Sequence, residues 1–369
     1  MSDLRYWVGF NEVRGIGPLR LRALLDHFGS IEQAWHASSD QLRNLGVDTR
    51  SLKNLSKVRS SIDLDQRLEQ IEAIGAHVLT WESPDYPDLL RETYAPPPVL
   101  YVKGQLKRQD AWAMAVVGTR RASTYGLEVT RRLATALARN GVTVVSGMAR
   151  GIDGVAHRAA LDAGGRTIAV FGCGIDTIYP AEHRKLAGRI AAQGALISDY
   201  PLGTRPEGRN FPPRNRIISG LSMGVLVTNA GKTSGALITA DFAAEQGRDV
   251  FAVPGSILNQ GSVGPNHLIQ DGAKLVIQAE DILEELNLTM VAEHRQAQLA
   301  LPEDETEAAL LKHLSADPLH VDDLQQQVQL PISQVTSSLA MMELKGMVRQ
   351  VGSMKYVVAR EPGGSYVVE

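Results

Sequence analysis

The chain has 369 residues, of which 44% are hydrophobic and 21% charged, so it is long enough for two or three domains of ordinary globular composition. Its formal net charge of −3 excludes a polycation, so any nucleic-acid site has to be a local basic patch. The single cysteine excludes an internal disulfide, and the nine histidines lack metal-ligand spacing, so we predict neither a structural metal nor a cofactor.

The first 70 residues carry apolar side chains at helical spacing, for example Leu21, Leu24 and Phe28, which predicts a small helical domain over 1–70. Gly15-Ile16-Gly17 followed by Pro18 is typical of a helix-hairpin-helix (SAM-like) domain, in which backbone N–H groups of the hairpin contact a DNA phosphate. Basic and acidic residues nearly balance here. Contact with DNA and contact with a protein both stay open.

Residues 75–287 alternate short β-branched runs with helical stretches, which predicts an α/β domain with a parallel sheet. Successive strands end in glycine-containing loops. Glycines at the carboxyl ends of such strands let backbone N–H groups reach phosphate oxygens, and arginines in the same loops add full charges. We therefore predict an anion site from the first two loops: Gly118, Thr119, Arg120, Ser146, Gly147, Arg150 and Gly151.

A dinucleotide or a P-loop nucleotide does not fit these loops. The first loop lacks the G-x-G-x-x-G pattern, and no acidic residue ends the second strand at Ser146. Gly231-Lys232-Thr233 lacks the first glycine of a phosphate loop, since Leu226 stands there, and the match is treated as chance.

A second set of candidate ligand contacts lies at 210–220, where arginines accompany an aromatic residue and two prolines. Arginines neutralise phosphates, and a ring can stack on an unpaired base for about 1–3 kcal/mol. The alternative is that Phe211 belongs to the core and the arginines to a solvated helix face. Together with the next strand–loop–helix entry, this adds Phe211, Arg214, Asn215, Arg216, Ser234 and Gly235 to the predicted site.

Residues 288–305 lose the periodicity and predict a linker, and 306–359 predict a winged-helix domain with its wing turn at Gly352-Ser353. Its second helix shows Ser, Gln and Thr instead of Lys or Arg. A protein contact or a regulatory role is therefore preferred over DNA binding for this domain. No apolar run approaches the roughly 18 residues of a membrane span, and the start lacks a signal-peptide pattern, so we expect a cytoplasmic protein with no membrane partner.

Six segments, in order, resemble the DprA/Smf family: VVGTRRASTYG, VVSGMARGIDGVAHRAAL, NFPPRNRIISGLS, SGALITA, FAVPGS and GSVGPNHLI. The resemblance implies an extended Rossmann-like domain that forms a homodimer and binds single-stranded DNA. It also implies protection of incoming strands, loading of the RecA recombinase during natural transformation, and contact with single-strand-binding protein. The family's DNA pocket would fall on most of the residues predicted above, and the family is not catalytic. Asn229 stands where the family usually has a glutamate.

An enzymatic alternative comes from the likeness of residues 146–165 to the glycine-rich loop of nucleotide phosphoribohydrolases. Such enzymes place carboxylates at the N-glycosidic bond. The stretch TSGALITA lacks the expected glutamate, which leaves Asp153 and Asp199 as the loop carboxylates. His157 is expected to pack on a helix surface. A nucleotide-sensing regulator that acts through the winged helix is a further alternative.

Overall fold

The computed structural model describes residues 3–286, 305–315, 317–344, 347–351 and 354–358. The chain divides into two compact units, residues 1–288 and 289–369. The predicted linker, 288–305, lies outside the described residues except for Glu305, which begins a helix. Among the described residues, none of the helices has both the length and the apolar character that crossing a membrane would need.

The first unit opens with a bundle of short helices, in which serine and aspartate side chains cap several helix starts; Ser30 Oγ, for example, accepts the N–H of Gln33 at 3.2 Å. Trp35 packs edge-on against Phe10, with ring centres 5.1 Å apart. In the predicted hairpin, Arg20 donates to the carbonyl oxygen of Gly15 at 2.6 Å. The helices are α1 (Leu4–Asn11), α2 (Pro18–Phe28), α3 (Ile31–His36), α4 (Ser39–Asn44), α5 (Thr49–Ser61) and α6 (Leu64–Ala73).

A nine-stranded sheet follows, in the order β1-β2-β6-β5-β4-β3-β7-β8-β9. β1 and β2 pair with each other, and β2 pairs with β6, in antiparallel fashion, whereas the other neighbours are parallel. The strands are β1 (Ala76–Thr80), β2 (Val99–Gly104), β3 (Ala113–Gly118), β4 (Thr143–Ser146), β5 (Thr167–Val170), β6 (Ala195–Ser198), β7 (Gly224–Asn229), β8 (Asp249–Ala252) and β9 (Lys274–Leu275).

Both faces of this sheet are buried. Alternate side chains of β2 show this, because Tyr101 belongs to the core shared with the N-terminal helices and Leu100 to the core on the other face. Because the N-terminal helices and the sheet share this core, the predicted domain boundary near residue 70 stays a prediction. The helices that follow are α7 (Asp88–Arg91), α8 (Thr124–Arg139), α9 (Ile152–Asp162), α10 (Arg184–Gln193), α11 (Phe211–Gly220), α12 (Gly235–Glu245), α13 (Val263–Gln270) and α14 (Glu280–Glu285).

The strand order reverses beside β3. The chain moves from β3 through β4, β5 and β6 towards one edge, then returns to place β7 on the other side of β3 and continues outward. In doubly wound sheets a crevice opens at such a switch point, outside the carboxyl ends of the strands. The topology therefore predicts a ligand site at the ends of β3, β4 and β7.

The second unit contains three described helices and a small antiparallel sheet in the order β10-β12-β11. Leu324, Val335 and Leu339 form part of its core. This is the helical and strand content expected of a winged helix, whereas the predicted wing turn at 352–353 lies outside the described residues. The elements are α15 (Glu305–His313), β10 (Leu319–His320), α16 (Val321–Val328), α17 (Ile332–Leu344), β11 (Val348–Gln350) and β12 (Lys355–Val358).

Candidate functional site

A cleft of about 610 Å³ lies at the switch point, with a cavity of about 20 Å³ beside it. The starts of α9, α11 and α12 line the cleft, and a helix start carries unpaired N–H groups and roughly half a positive charge. The cleft therefore favours an anion. Ten of the thirteen predicted site residues line the cleft or the cavity: Gly118, Thr119, Arg120, Gly147, Arg150, Phe211, Arg214, Asn215, Ser234 and Gly235.

Two glycines allow the loops to approach each other closely. A Cβ on Gly147 would come within 2.6 Å of Arg214 Nη2. Gly151 has a φ of +71°, and a Cβ there would lie 2.4 Å from the carbonyl oxygen of Thr119. Gly151 itself does not line the cleft. It lets the loop after β4 pass against the loop after β3.

Arg214 is a guanidinium buried at the floor of the cleft, with 4% of the residue exposed. Its Nη1 donates to the carbonyl oxygens of Gly147, at 2.8 Å, and Val170. Burial lowers the pKa of Arg214, and nearby Asp153 opposes that shift. Among the described residues, no ion pair includes Arg214. Because its hydrogen-bond acceptors are neutral carbonyls and the Asp153 carboxylate lies beyond ion-pair distance, this position favours an anionic ligand.

An aromatic surface lies between two arginines. The guanidinium carbons of Arg120 and Arg214 lie 5.1 and 5.9 Å from the ring centre of Phe211. Tyr179 stacks on the same ring, with centres 5.7 Å apart and planes 25° apart, and is 40% exposed. Such a surface suits a ligand that carries both an anion and a planar ring. Phe211 is half-buried and lines the cleft, whereas its contact with a base stays a prediction.

Arg150 differs from the other cleft arginines because it holds a carboxylate. Its Nε and Nη2 donate to the two carboxylate oxygens of Glu182 at 2.6 and 2.7 Å. This hydrogen-bonded pair raises the pKa of Arg150 and lowers the pKa of Glu182. The positive charge that Arg150 brings to the loop after β4 is therefore largely neutralised by the Glu182 carboxylate.

The three remaining predicted residues do not enter the cleft. Besides Gly151, these are Ser146, whose buried Oγ donates to the carbonyl oxygen of Val116 at 2.7 Å, and Arg216. Arg216 forms an ion pair with Asp199 at 3.2 Å and donates to the carbonyl oxygen of Ala95 at 2.5 Å. Residues two apart on a helix point in nearly opposite directions, so Arg214 and Arg216 cannot face the same ligand.

The nominated carboxylates are held by the protein itself. Asp153 Oδ2 accepts the N–H groups of Gly147 and Ala149, each at 3.2 Å, and burial raises the pKa of Asp153. Burial also raises the pKa of Asp199, which pairs with Arg216. Neither resembles a carboxylate free to act on a glycosidic bond. Among the described residues, no group of His, Cys, Asp or Glu is arranged to hold a metal ion.

The expectation that His157 packs on a helix surface is wrong, because the residue is fully buried. Its Nδ1 lies 2.7 Å from Thr167 Oγ1, which itself donates to the carbonyl oxygen of Val144 at 2.6 Å. The hydroxyl proton is thus already used, and Nδ1–H of the ring must be the donor. Burial lowers the pKa of His157 to about 3.

Asn229 connects two loops, and within the described part of the chain its side chain makes no hydrogen bond to an arginine. Its Oδ1 accepts the N–H of Ser123 at 3.2 Å, and its Nδ2 donates to the carbonyl oxygen of Gly261 at 2.9 Å. The side chain is buried, so the neutral residue at this position serves the backbone of the loops around the cleft. A carboxylate could not make the donation to Gly261.

The sequence reasoning missed Arg121 and Tyr179, which line the cleft, and Glu182, which pairs with Arg150. Tyr179 and Glu182 belong to the connection between β5 and α10, which has no periodicity to interpret. The usable signal was the glycine pair at 172 and 174, which marks this connection as a third strand-end loop. In the same loop lies Cys173, a buried thiol whose Sγ contacts the carbonyl oxygen of Thr177 at 3.2 Å and whose pKa burial raises to about 11.

Fold and site together define a doubly wound α/β protein with an arginine-lined cleft at its switch point, followed by a small helical and antiparallel unit. The family model described as DNA recombination-mediator protein A matches residues 77–287, and the DprA winged helix domain matches 294–353. The chain belongs to the DNA recombination-mediator protein A (DprA/Smf) family. The predicted fold class, a Rossmann-like parallel sheet with a C-terminal winged helix, is confirmed.

Relatives cover most of the chain. It is 36% identical to Protein Smf of Synechocystis over 96% of this chain and 98% of the relative, and 42% identical to Protein Smf of Escherichia coli over 86% of each. The X-ray structure of DNA processing protein A from Streptococcus pneumoniae matches with a TM-score of 0.68 and 35% identity, over 76% of this chain and 97% of that one. DNA processing protein A from Helicobacter pylori, solved for its single-stranded DNA binding mode, matches with a TM-score of 0.52 and 31% identity, over 57% and 95%.

Proposed function

We propose that the cleft at the switch point binds single-stranded DNA, with phosphates at Arg120 and Arg214 and a base against Phe211 and Tyr179. The observation that carries the proposal is the buried Arg214, which has no ion-pair partner among the described residues, beside an exposed aromatic surface. Single strands offer both of the required groups, a chain of phosphates and unpaired bases with accessible faces. Backbone N–H groups at the helix starts around the cleft add further donors.

The cellular role we propose is that of a recombination mediator in natural transformation. The protein protects incoming single strands and helps to load the RecA recombinase, acting as a homodimer and in contact with single-strand-binding protein. Family membership supports this role, as does the binding mode described for the relative from Helicobacter pylori. No catalytic step is part of the proposal. The phosphoribohydrolase alternative is not favoured, because Asp153 and Asp199 are engaged by backbone N–H groups and by Arg216.

Substitution of Arg120 tests the site. Arg120 is exposed and forms no ion pair with a described residue, so Arg120→Ala leaves no buried partner behind. We expect weaker binding of oligo-dT and a salt slope reduced by about 0.7, the value of one phosphate contact on a single strand. Fluorescence anisotropy across a salt titration measures both quantities.

Arg132→Ala is the matched control, since Arg132 is an exposed arginine of α8 that does not line the cleft. If Arg120→Ala keeps the affinity and salt slope of the control, DNA does not bind at this cleft. A second assay follows RecA assembly on strands coated with single-strand-binding protein. If the purified protein does not accelerate RecA assembly, the proposed loading role is refuted.

A further inference from the structure

The ion pair between Arg150 and Glu182 is a built feature at the rim of the cleft. The two side chains meet in a bidentate geometry although both are accessible, with 58% and 53% of the side chain exposed. Exposed ion pairs of long side chains usually give little stability, because holding them in one geometry costs entropy. A pair of this geometry therefore needs support from its surroundings.

That support comes from the residues next to each partner. His183 follows Glu182, is buried, and has its Nδ1 3.0 Å from the carbonyl oxygen of Met148. Since a carbonyl can only accept, Nδ1–H donates and fastens the turn of Glu182 to the loop of Arg150. Met148 is a non-glycine residue in the left-handed backbone region, with a φ of +61°, so the loop takes an uncommon conformation to make this contact.

In the described part of the chain, the other cleft arginines have no carboxylate at ion-pair distance, although the charge of Asp153 acts on Arg214 from further away. Among the described residues, Arg120, Arg121 and Arg214 form no ion pair, whereas Arg150 lines the side cavity with its fork already occupied. A carboxylate and a phosphodiester offer the same pattern of two oxygens to a guanidinium, and each carries one negative charge. One can therefore replace the other at Arg150.

We propose that Glu182 is an internal competitor of the DNA backbone for Arg150. In the free protein the carboxylate occupies the guanidinium, and in the complex a phosphate takes its place while Glu182 turns to solvent. The inference rests on the proposed binding of single strands in the cleft. It adds that the protein carries a third phosphate contact whose strength is reduced by its own side chain.

The exchange has a consequence for ligand choice. A lone phosphate gains at Arg150 about as much as the protein loses by releasing Glu182. A strand already held at Arg120 and Arg214 presents its next phosphate at high effective concentration, so the exchange becomes favourable. A strand therefore makes the exchange more readily than a mononucleotide, whereas removal of the competitor should tighten the binding of both.

The test is Glu182→Gln, which keeps the shape and an acceptor oxygen but removes the charge. We expect oligo-dT to bind roughly fivefold more tightly near about 0.1 M salt with little change of the salt slope, because the same phosphate reaches Arg150 without having to displace a carboxylate. We expect the gain to vanish when Arg150→Ala is added. Glu128→Gln is the matched control, since Glu128 is an exposed partner of Arg131 on α8 and lies outside the cleft.

The outcomes separate this inference from the proposed function. If Glu182→Gln binds oligo-dT like the unaltered protein while Arg120→Ala weakens binding, the competition is refuted and the cleft stands. If neither variant changes binding, both proposals fall. Weaker binding by Glu182→Gln, with an unchanged thermal unfolding midpoint, would mean that Glu182 positions Arg150 for DNA, which also overturns the competition.

Discussion

Arg214 and Arg216 stand two positions apart on α11 and face different surroundings. Arg214 lines the cleft, whereas Arg216 neutralises Asp199, a carboxylate that is already short of partners because its Oδ1 has no hydrogen bond among the described residues. Removing one partner of this partly buried pair leaves a charge that solvent compensates only in part. The two arginines should therefore respond differently to substitution.

We expect Arg216→Ala to lower the free energy of unfolding by about 2 kcal/mol. Urea denaturation at neutral pH measures the loss. The double variant Arg216→Gln, Asp199→Asn should recover much of it, since both charges are then gone. An Arg216→Ala protein as stable as the original would show that Asp199 does not need this cation.

Because His157 is buried in its neutral form, we expect the folded protein to lose stability in acid. Its folded-state pKa, about 3, lies below the value of about 6.5 for an unfolded histidine, so the folded state binds the proton less readily. The contribution is complete above about pH 6.5 and falls by roughly 1.4 kcal/mol per pH unit below it. Between pH 7 and pH 5, His157→Asn should lose about 2 kcal/mol less stability than the unaltered protein in urea denaturation. Equal losses would contradict the assigned cause.

Individual residues show how far the sequence could lead. The association of glycine with arginine at strand ends was enough to find Arg120 and Gly147, because parallel strands deliver their carboxyl ends to one edge. The same pattern could not show that Arg214 faces the cleft and Arg216 does not, because that distinction depends on where α11 begins. Pro212-Pro213 did mark this helix start. Nor could it find Glu182, whose contact with Arg150 spans 32 residues.

At the scale of elements, the start of α9 depends on a glycine that no other residue can replace. Gly151 has a left-handed φ of +71° and approaches the Thr119 carbonyl, whereas Gly164, after the same helix, has a φ of +76° with open space around it. Alanine at Gly164 meets only the backbone strain, about 1 kcal/mol. Alanine at Gly151 also pushes the two cleft loops apart.

We therefore expect Gly151→Ala to weaken oligo-dT binding at least several-fold and to destabilise the protein more than Gly164→Ala does. Anisotropy and urea denaturation of both variants give the comparison. Similar behaviour of the two alanine variants would show that backbone strain alone matters and that contact between the loops is unimportant.

The elements also show why topology was only partly predictable. The short β-branched runs within residues 75–287 predicted strands, and the structure has, for example, β3 and β7 at two of them. The antiparallel addition of β1 and β2 was not predicted. A run of apolar residues fixes the existence of a strand, whereas its direction depends on the path of the connection and on distant partners.

At the scale of the whole molecule, the division into two compact units leads us to expect that the first unit binds DNA without the second. Every residue that lines the cleft belongs to residues 1–288. A chain that ends at residue 288 should therefore unfold cooperatively and bind oligo-dT within about threefold of the full chain, because the same phosphates are neutralised. Anisotropy compares the two proteins. A loss greater than tenfold would show that the winged helix contributes directly to DNA affinity.

The buried thiol of Cys173 makes the molecule convenient to label. At neutral pH, a thiol with a pKa of about 11 stays protonated and unreactive towards maleimides, and its side chain is out of reach of reagents. With one cysteine in the chain, a fluorophore can be attached at a newly introduced surface cysteine without first removing the native one. Distances between such a dye and a labelled oligonucleotide would then map the path of the strand across the rim.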